Sequence, residues 1–242
     1  MVSPASRSRP APRRLPVDAV LFDLDGTLAD SAGDLAGALN RMRTERGLPP
    51  VPVDVLRPHA SAGARGLLGA GLGITPEHPD YKALRHTFLD YYESAIDVTT
   101  RLFDGIDAVL DALAQRALAI GIVTNKVHRF TAPLVAALGL DRRCSAVVSG
   151  DTTTHPKPHP APLLHAAELL GVAPARCVYV GDDLRDVTAG NAAGMATIVA
   201  EYGYLGEARC ADDWPATGWI DRPLALLDWL PLRSTRGACE AR

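Results

Sequence analysis

Residues 17–24, VDAVLFDL, form an apolar, β-branched run that closes on a carboxylate, and the chain continues Asp25-Gly26-Thr27. A run this apolar suits a strand buried on both faces, as in a parallel sheet covered by helices. The two-residue spacing sends Asp23 and Asp25 to the same side of an extended chain, and Gly26 permits a sharp turn directly after them. Two such acids repel each other unless a cation sits with them. Open α/β sheets bind ligands beyond the carboxyl ends of their strands, so the chemistry of this chain is expected at that edge.

Similar runs follow at residues 118–124 (LAIGIVT), 146–149, 177–180 (CVYV) and 196–199, each separated from the next by a helical pattern. Ile106, Val109, Leu110 and Leu113 line one face of a helix over residues 106–117, and Leu163, Leu164, Ala167 and Leu170 repeat that spacing. The pattern predicts an α/β fold with a doubly wound, Rossmann-like parallel sheet. About ninety residues separate the first strand from the second, far more than one crossover helix needs. The excess reads as helices. Asp30 or Ser31 can cap one with Leu35, Leu39 and Met42 on its buried face, ending near Gly47. Another spans residues 81–96, with Phe88, Tyr91 and Tyr92 as its packing face. The glycine-rich stretch 69–73 reads as a turn between helices, since no G-K-[ST] follows to make it a nucleotide loop. The expected organisation is a disordered arm (1–15), an α/β core (16–31 and 99–231), an inserted helical cap domain (32–98) and a flexible tail (232–242).

The 242 residues, 47% hydrophobic, suffice for one sizeable core or a core with a small second domain. A net charge of −3 offers no electrostatic footprint for nucleic acid or a membrane surface, so small-molecule chemistry is expected. The one basic run, Arg7, Arg9, Arg13 and Arg14, lies in a Pro- and Ser-rich N-terminus without the apolar stretch of a secretory signal, and reads as a solvated arm. No stretch approaches the roughly 20 apolar residues of a membrane span. Cys144, Cys177, Cys210 and Cys239 show no C-x-x-C pairing, which speaks against zinc and redox motifs and for reduced thiols in a cytoplasmic protein. The seven histidines have no metal-ligand spacing, and His128 reads as a helix-start or surface residue.

Three further features stand at later strand ends: Thr124-Asn125, Lys157, and Gly181-Asp182-Asp183-Leu184-Arg185-Asp186. A phosphoryl group in transfer carries negative charge on its equatorial oxygens, so its site needs cations and hydrogen-bond donors more than a strong base. Lys157 and Thr124 suit that need. Mg²⁺ prefers hard oxygen ligands and keeps several waters, so Asp23, Asp182 and a main-chain carbonyl near Asp25 would be sufficient protein ligation. Asp183 and Asp186, at a helix start, can equally offset the helix dipole or support the site.

The stretches DLDGTLADS, VTN, KP and GDDLRD resemble the four motifs of the haloacid-dehalogenase-like superfamily, over roughly residues 17–230. The resemblance implies that Asp23 is a nucleophile forming an aspartyl-phosphate. Asp25 would protonate the leaving oxygen and then activate water. Thr124, Asn125 and Lys157 would hold the phosphoryl oxygens, Asp182 would ligate Mg²⁺ directly, and Asp183 and Asp186 would support metal and lysine. A halide leaving group needs no proton, so Asp25 argues for a phosphatase within the superfamily. The helical insert resembles the family's lid of the first type.

VTNK, the KP-x-P-x-PL pattern of residues 157–163 and Tyr202-Gly203-Tyr204 are similar to the phosphoglycolate-phosphatase-like group, although His159 departs from the Asp common there. Residues 61–65 (SAGAR), GDDLRD and a tryptophan at 214 resemble members that act on N-acetylmuramic acid 6-phosphate. Both that compound and 2-phosphoglycolate carry a carboxylate besides the phosphate, so Arg65, otherwise a solvated surface residue, could bind it. The implied partner is a small-molecule phosphomonoester, with neither nucleic acid nor membrane, and the protein a monomer or homodimer. The alternatives are a sugar phosphomutase of the same superfamily and a non-catalytic binding module, the latter disfavoured by the joint presence of Asp23, Asp25, Thr124, Lys157 and Asp182.

Overall fold

The computed structural model describes residues 10–206 and 211–232. Six strands form one parallel sheet: β1 (Ala19–Phe22), β4 (Ala119–Val123), β5 (Ala146–Val148), β6 (Cys177–Gly181), β7 (Ala196–Ala200) and β8 (Gly218–Ile220), in the order β5-β4-β1-β6-β7-β8. This is the doubly wound α/β sheet expected, with one strand more: the three residues of β8 are too few to show as a run. In β1, Val20 and Phe22 join the core on one face while Ala19 and Leu21 join the core on the other. Burial on both sides is why the run is apolar at consecutive positions.

Helices α5 (Ile106–Gln115), α6 (His128–Ala137), α7 (Ala161–Leu170) and α8 (Leu184–Ala192) cover the sheet. The four residues expected on the buried face of α5 are all buried. Strand β1 pairs with β4 on one side and β6 on the other, so the chain leaves β1 in one direction and returns across it. That reversal is the switch point where open α/β sheets form a crevice at their carboxyl edge.

Residues 32–93 hold α1 (Ala32–Thr44), α2 (Val53–Leu56), a 3₁₀ turn (Arg57–Ala62), α3 (Gly63–Leu72) and α4 (Tyr81–Glu93). Leu35, Leu39 and Met42 are buried along α1. The glycine-rich stretch read as a turn is instead the end of α3, closed by Gly73 in the left-handed conformation (φ 67°). Gly71 is there because α1 passes close: a Cβ would lie 2.2 Å from Leu39 Cδ2. Ser31 precedes α1 without capping it; its hydroxyl is turned toward Asp25.

The chain enters and leaves this helical layer through β2 (Ala29–Asp30) and β3 (Arg101–Leu102), a two-residue antiparallel ribbon. Beside it Asp34 accepts hydrogen bonds from the N–H and hydroxyl groups of both Thr99 and Thr100, at 2.6–3.1 Å. Arg14 and Leu15, read with the arm, are tied to the core. Leu15 is buried and donates its N–H to Trp229 O at 2.7 Å, and Arg14 Nη1 donates to Leu230 O at 3.2 Å. Residues 1–9 of the arm and 233–242 of the tail lie outside the described residues, as do Cys210 and Cys239. Cys144 and Cys177 are buried free thiols. No helix among the described residues is long and apolar enough to cross a membrane.

Candidate active site

Asp23 follows β1 directly, its N–H bonded to Val180 O of β6 at 2.9 Å. Its Oδ1 lies 2.9 Å from Nζ of Lys157, and that Nζ lies 2.8 Å from Asp186 Oδ1. Lys157 is 4% exposed, and its Nζ also donates to Val123 O at 3.0 Å and to the Tyr179 hydroxyl at 2.7 Å. Burial alone would favour a neutral amine, but Asp186 and Asp23 outweigh it and raise the lysine above its ordinary value. Burial pushes the Asp23 carboxyl up to about 7, with Lys157 opposing and Asp186 and Asp25 adding to the rise.

Asp182, at the end of β6, is fully buried and held well above the usual carboxylate range by burial and by the Asp23 and Asp186 charges. Its Oδ2 accepts the Tyr204 N–H at 2.8 Å, and its Oδ1 accepts the Thr27 hydroxyl at 3.3 Å. Gly26 (φ 84°) is required here, because a Cβ would stand 2.2 Å from Asp182 Oδ2. Asp23, Asp182 and Asp186 bring carboxylate oxygens within 4.8 Å of one another. Three buried acids this close, with the single ammonium of Lys157 paired to two of them, are a donor set of the hard-oxygen kind that a divalent cation satisfies.

Asp25 has a cation of its own: Lys126 Nζ lies 3.1 Å from its Oδ1, which also accepts the Ser31 hydroxyl at 2.5 Å. The strand-end acids therefore each face a separate buried lysine. Lys126 Nζ donates to the Tyr92 hydroxyl of α4 at 2.8 Å. Burial would lower its pKa, but Asp25 and Tyr92 hold it above the ordinary lysine value.

Thr124 lies at the end of β4, buried, its hydroxyl oxygen accepting the Lys126 N–H at 3.1 Å and its own proton still available to donate. Asn125 is occupied differently from the expectation: its side chain donates to Lys157 O and accepts the Lys157 N–H, both at 2.9 Å. It clamps the loop that carries the lysine. Asp183 caps α8 by accepting the Arg185 N–H at 2.8 Å, while Asp186 reaches back to the Asp183 N–H at 3.1 Å. The same Asp186 carboxylate that completes this cap also pairs with Lys157. Arg185 pairs with both Asp183 oxygens at 2.8 Å and donates to Ser61 O of the helical layer at 2.7 Å.

Above these groups lies a cavity of about 450 Å³, floored by Asp23, Asp25, Thr124 and Lys157 and roofed by Ala60, Arg65, Arg85, Phe88 and Tyr92. Arg65 and Arg85 are exposed, and neither pairs with a carboxylate among the described residues.

Residues 20–200 match the family model described as haloacid dehalogenase-like hydrolase. The chain belongs to the haloacid dehalogenase-like hydrolase family. It is 40% identical over 218 residues to an N-acetylmuramic acid 6-phosphate phosphatase of Pseudomonas aeruginosa, covering 90% of this chain and 96% of the relative. It is 43% identical over 220 residues to a phosphoglycolate phosphatase of Xanthomonas campestris, covering 88% and 95%. The crystal structure of a predicted phosphoglycolate phosphatase from Haemophilus somnus superposes with a TM-score of 0.77 at 26% identity, covering 88% and 97%.

Within this haloacid dehalogenase-like site, sequence reasoning assigned no site role to Lys126, Tyr92, Ser31, Tyr179, Tyr204 and Arg85. Ser31, Lys126 and Tyr204 stood inside the stretches that carried the resemblance. Tyr204 joins the start of α1 to Asp182, accepting the Ser31 and Ala32 N–H groups on its hydroxyl at 2.8 and 3.0 Å while its own N–H serves Asp182.

Proposed function

We propose that the protein is a Mg²⁺-dependent phosphatase of small phosphomonoesters working through an aspartyl-phosphate on Asp23. The observation that carries this reading is Asp23 at the cavity floor, 2.9 Å from Lys157 and grouped with Asp182 and Asp186, with Asp25 alongside. Asp23 attacks phosphorus, the bond from phosphorus to the ester oxygen breaks, and Asp25 gives its proton to the departing alcohol. Asp25 then takes a proton from the water that attacks the aspartyl-phosphate, releasing inorganic phosphate and restoring the Asp23 carboxylate. Lys157 and the Thr124 hydroxyl stabilise charge on the phosphoryl oxygens. Asn125 acts through its clamp on Lys157, and Asp186 by orienting that lysine.

Asp23, Asp182 and the main chain at Asp25 would hold Mg²⁺, with Asp183 and Asp186 around them. When bound, the ion supplies positive charge that lets an anionic nucleophile approach an anionic phosphate.

The cavity is roomy for a two-carbon substrate and lies within the usual size of small-molecule sites, roughly 300–1,000 Å³. Relatives of both names match this chain, and it is the cavity volume that supports N-acetylmuramic acid 6-phosphate over 2-phosphoglycolate, with Arg65 receiving the carboxylate. The test is Mg²⁺-dependent phosphate release from both compounds, with Asp23→Asn as control. A kcat/KM at least about tenfold higher for the muramic acid ester, about 1.4 kcal/mol, supports the substrate assignment. The opposite preference makes it a glycolate-type phosphatase, and activity that requires a bisphosphate activator would make it a mutase.

A further inference from the structure

Lys126 is a buried cation to which the proposed chemistry gives no task. It leaves β4 on a rigid root. Its N–H is held by Thr124 Oγ1 at 3.1 Å, and its carbonyl accepts the Thr131 hydroxyl at 2.9 Å and the Gly150 N–H at 2.8 Å. Its side chain is 8% exposed, and the two groups on its Nζ come from different layers. Asp25, 3.1 Å away, belongs to the sheet edge; the Tyr92 hydroxyl, 2.8 Å away, belongs to α4 in the helical layer. Tyr92 is itself 1% exposed, its ring edge-on to Phe130 of α6 with centroids 5.5 Å apart.

Lys126 and Ser31 both grip Oδ1 of Asp25, and Oδ2 accepts no hydrogen bond from a described residue. One oxygen is thus anchored and the other is left without such a bond, on a residue that lines the cavity. An ammonium on a four-carbon stem is a loose anchor unless its head is also held, and here the head is held by Tyr92. If the helical layer lifted, Lys126 would lose that partner.

We propose that Lys126 is a positioning residue: seated against Tyr92, it turns Asp25 so that Oδ2 meets the leaving oxygen, coupling proton delivery to closure of the helical layer over the sheet. The proposal rests on the acid–base reading of Asp25, and its test separates the two.

The measurement is the single-turnover rate of phosphoryl transfer to Asp23, with Mg²⁺ present, from an alkyl phosphate and from p-nitrophenyl phosphate. The alkyl alcohol needs a proton to leave; p-nitrophenolate does not. Lys126→Met should slow the alkyl ester about 100-fold while changing p-nitrophenyl phosphate less than about threefold. Tyr92→Phe keeps the ring packing and should give the same split at about three- to tenfold. It carries the test by itself if Lys126→Met does not fold. Equal losses on both esters, or no loss in either variant, overturn the proposal. Asp25→Asn is the separate control: if it transfers from the alkyl ester at the wild-type rate, the acid–base reading fails, whatever Lys126 does.

Discussion

Lys157 Nζ stands 2.9 Å from Asp23 Oδ1, and the carboxylate that steadies the lysine from behind, Asp186, is 2.8 Å away on the first turn of α8. One ammonium thus serves two acids that lie far apart in the sequence. Replacing it with an apolar group of similar length leaves buried carboxylates facing each other. Lys157→Met is expected to lose about 3 kcal/mol of stability in denaturant unfolding. Its kcat is expected to fall about 10²- to 10³-fold, because a phosphoryl-facing charge is gone.

Asp23 and Asp182 both have raised pKa values in the metal-free protein, Asp23 at about 7. A carboxyl with a raised folded-state pKa binds more protons folded than unfolded, so the metal-free protein loses stability as pH rises from its unfolded value toward 7. A cation competes with those protons. The Mg²⁺-induced rise in melting temperature is therefore expected to be larger at about pH 8 than at about pH 6, and at 100 times Kd the ion contributes about 2.7 kcal/mol. Asp182→Asn should abolish most of that rise; differential scanning fluorimetry with and without EDTA measures it.

Asp34 joins α1 to the returning linker through four hydrogen-bond donors of Thr99 and Thr100. Burial would raise its pKa, but those donors outweigh it and hold the carboxyl below its ordinary value. A depressed carboxyl contributes stability above the unfolded pKa and loses it as pH falls through the folded one. Asp34→Asn is thus expected to cost about 2 kcal/mol near pH 7 and clearly less by about pH 2, measured by urea unfolding at both.

Arg65 lies in the cavity roof opposite the phosphoryl-binding floor. Arg65→Ala is expected to raise KM about tenfold for carboxylate-bearing substrates with a smaller effect on kcat, and to leave p-nitrophenyl phosphate unaffected. An unchanged KM for the carboxylate substrate rules out its proposed role.

Strand runs and strand-end acids are legible in a single chain because burial on both faces forces continuous apolar residues, so a charged residue marks where such a strand ends. The loop and ribbon elements are less legible: β2, β3 and β8 are two or three residues long, and nothing local distinguishes them from coil. Asn125 shows a different limit. Its residue type suits a phosphate as well as a main-chain amide, and only the neighbouring Lys157 loop decides between them.

The sequence by itself determined the doubly wound sheet, the helical insert and the acids Asp23, Asp25 and Asp182 at strand ends, since periodicity and strand termini are local properties. Only the tertiary structure decided which partner each acid meets. Lys157 goes to Asp23 and Asp186, Lys126 to Asp25 and Tyr92, and Tyr204 to Asp182. These pairings span tens to more than a hundred residues of chain, and a buried charge takes the partner that packing brings within about 3 Å, whatever their separation in sequence.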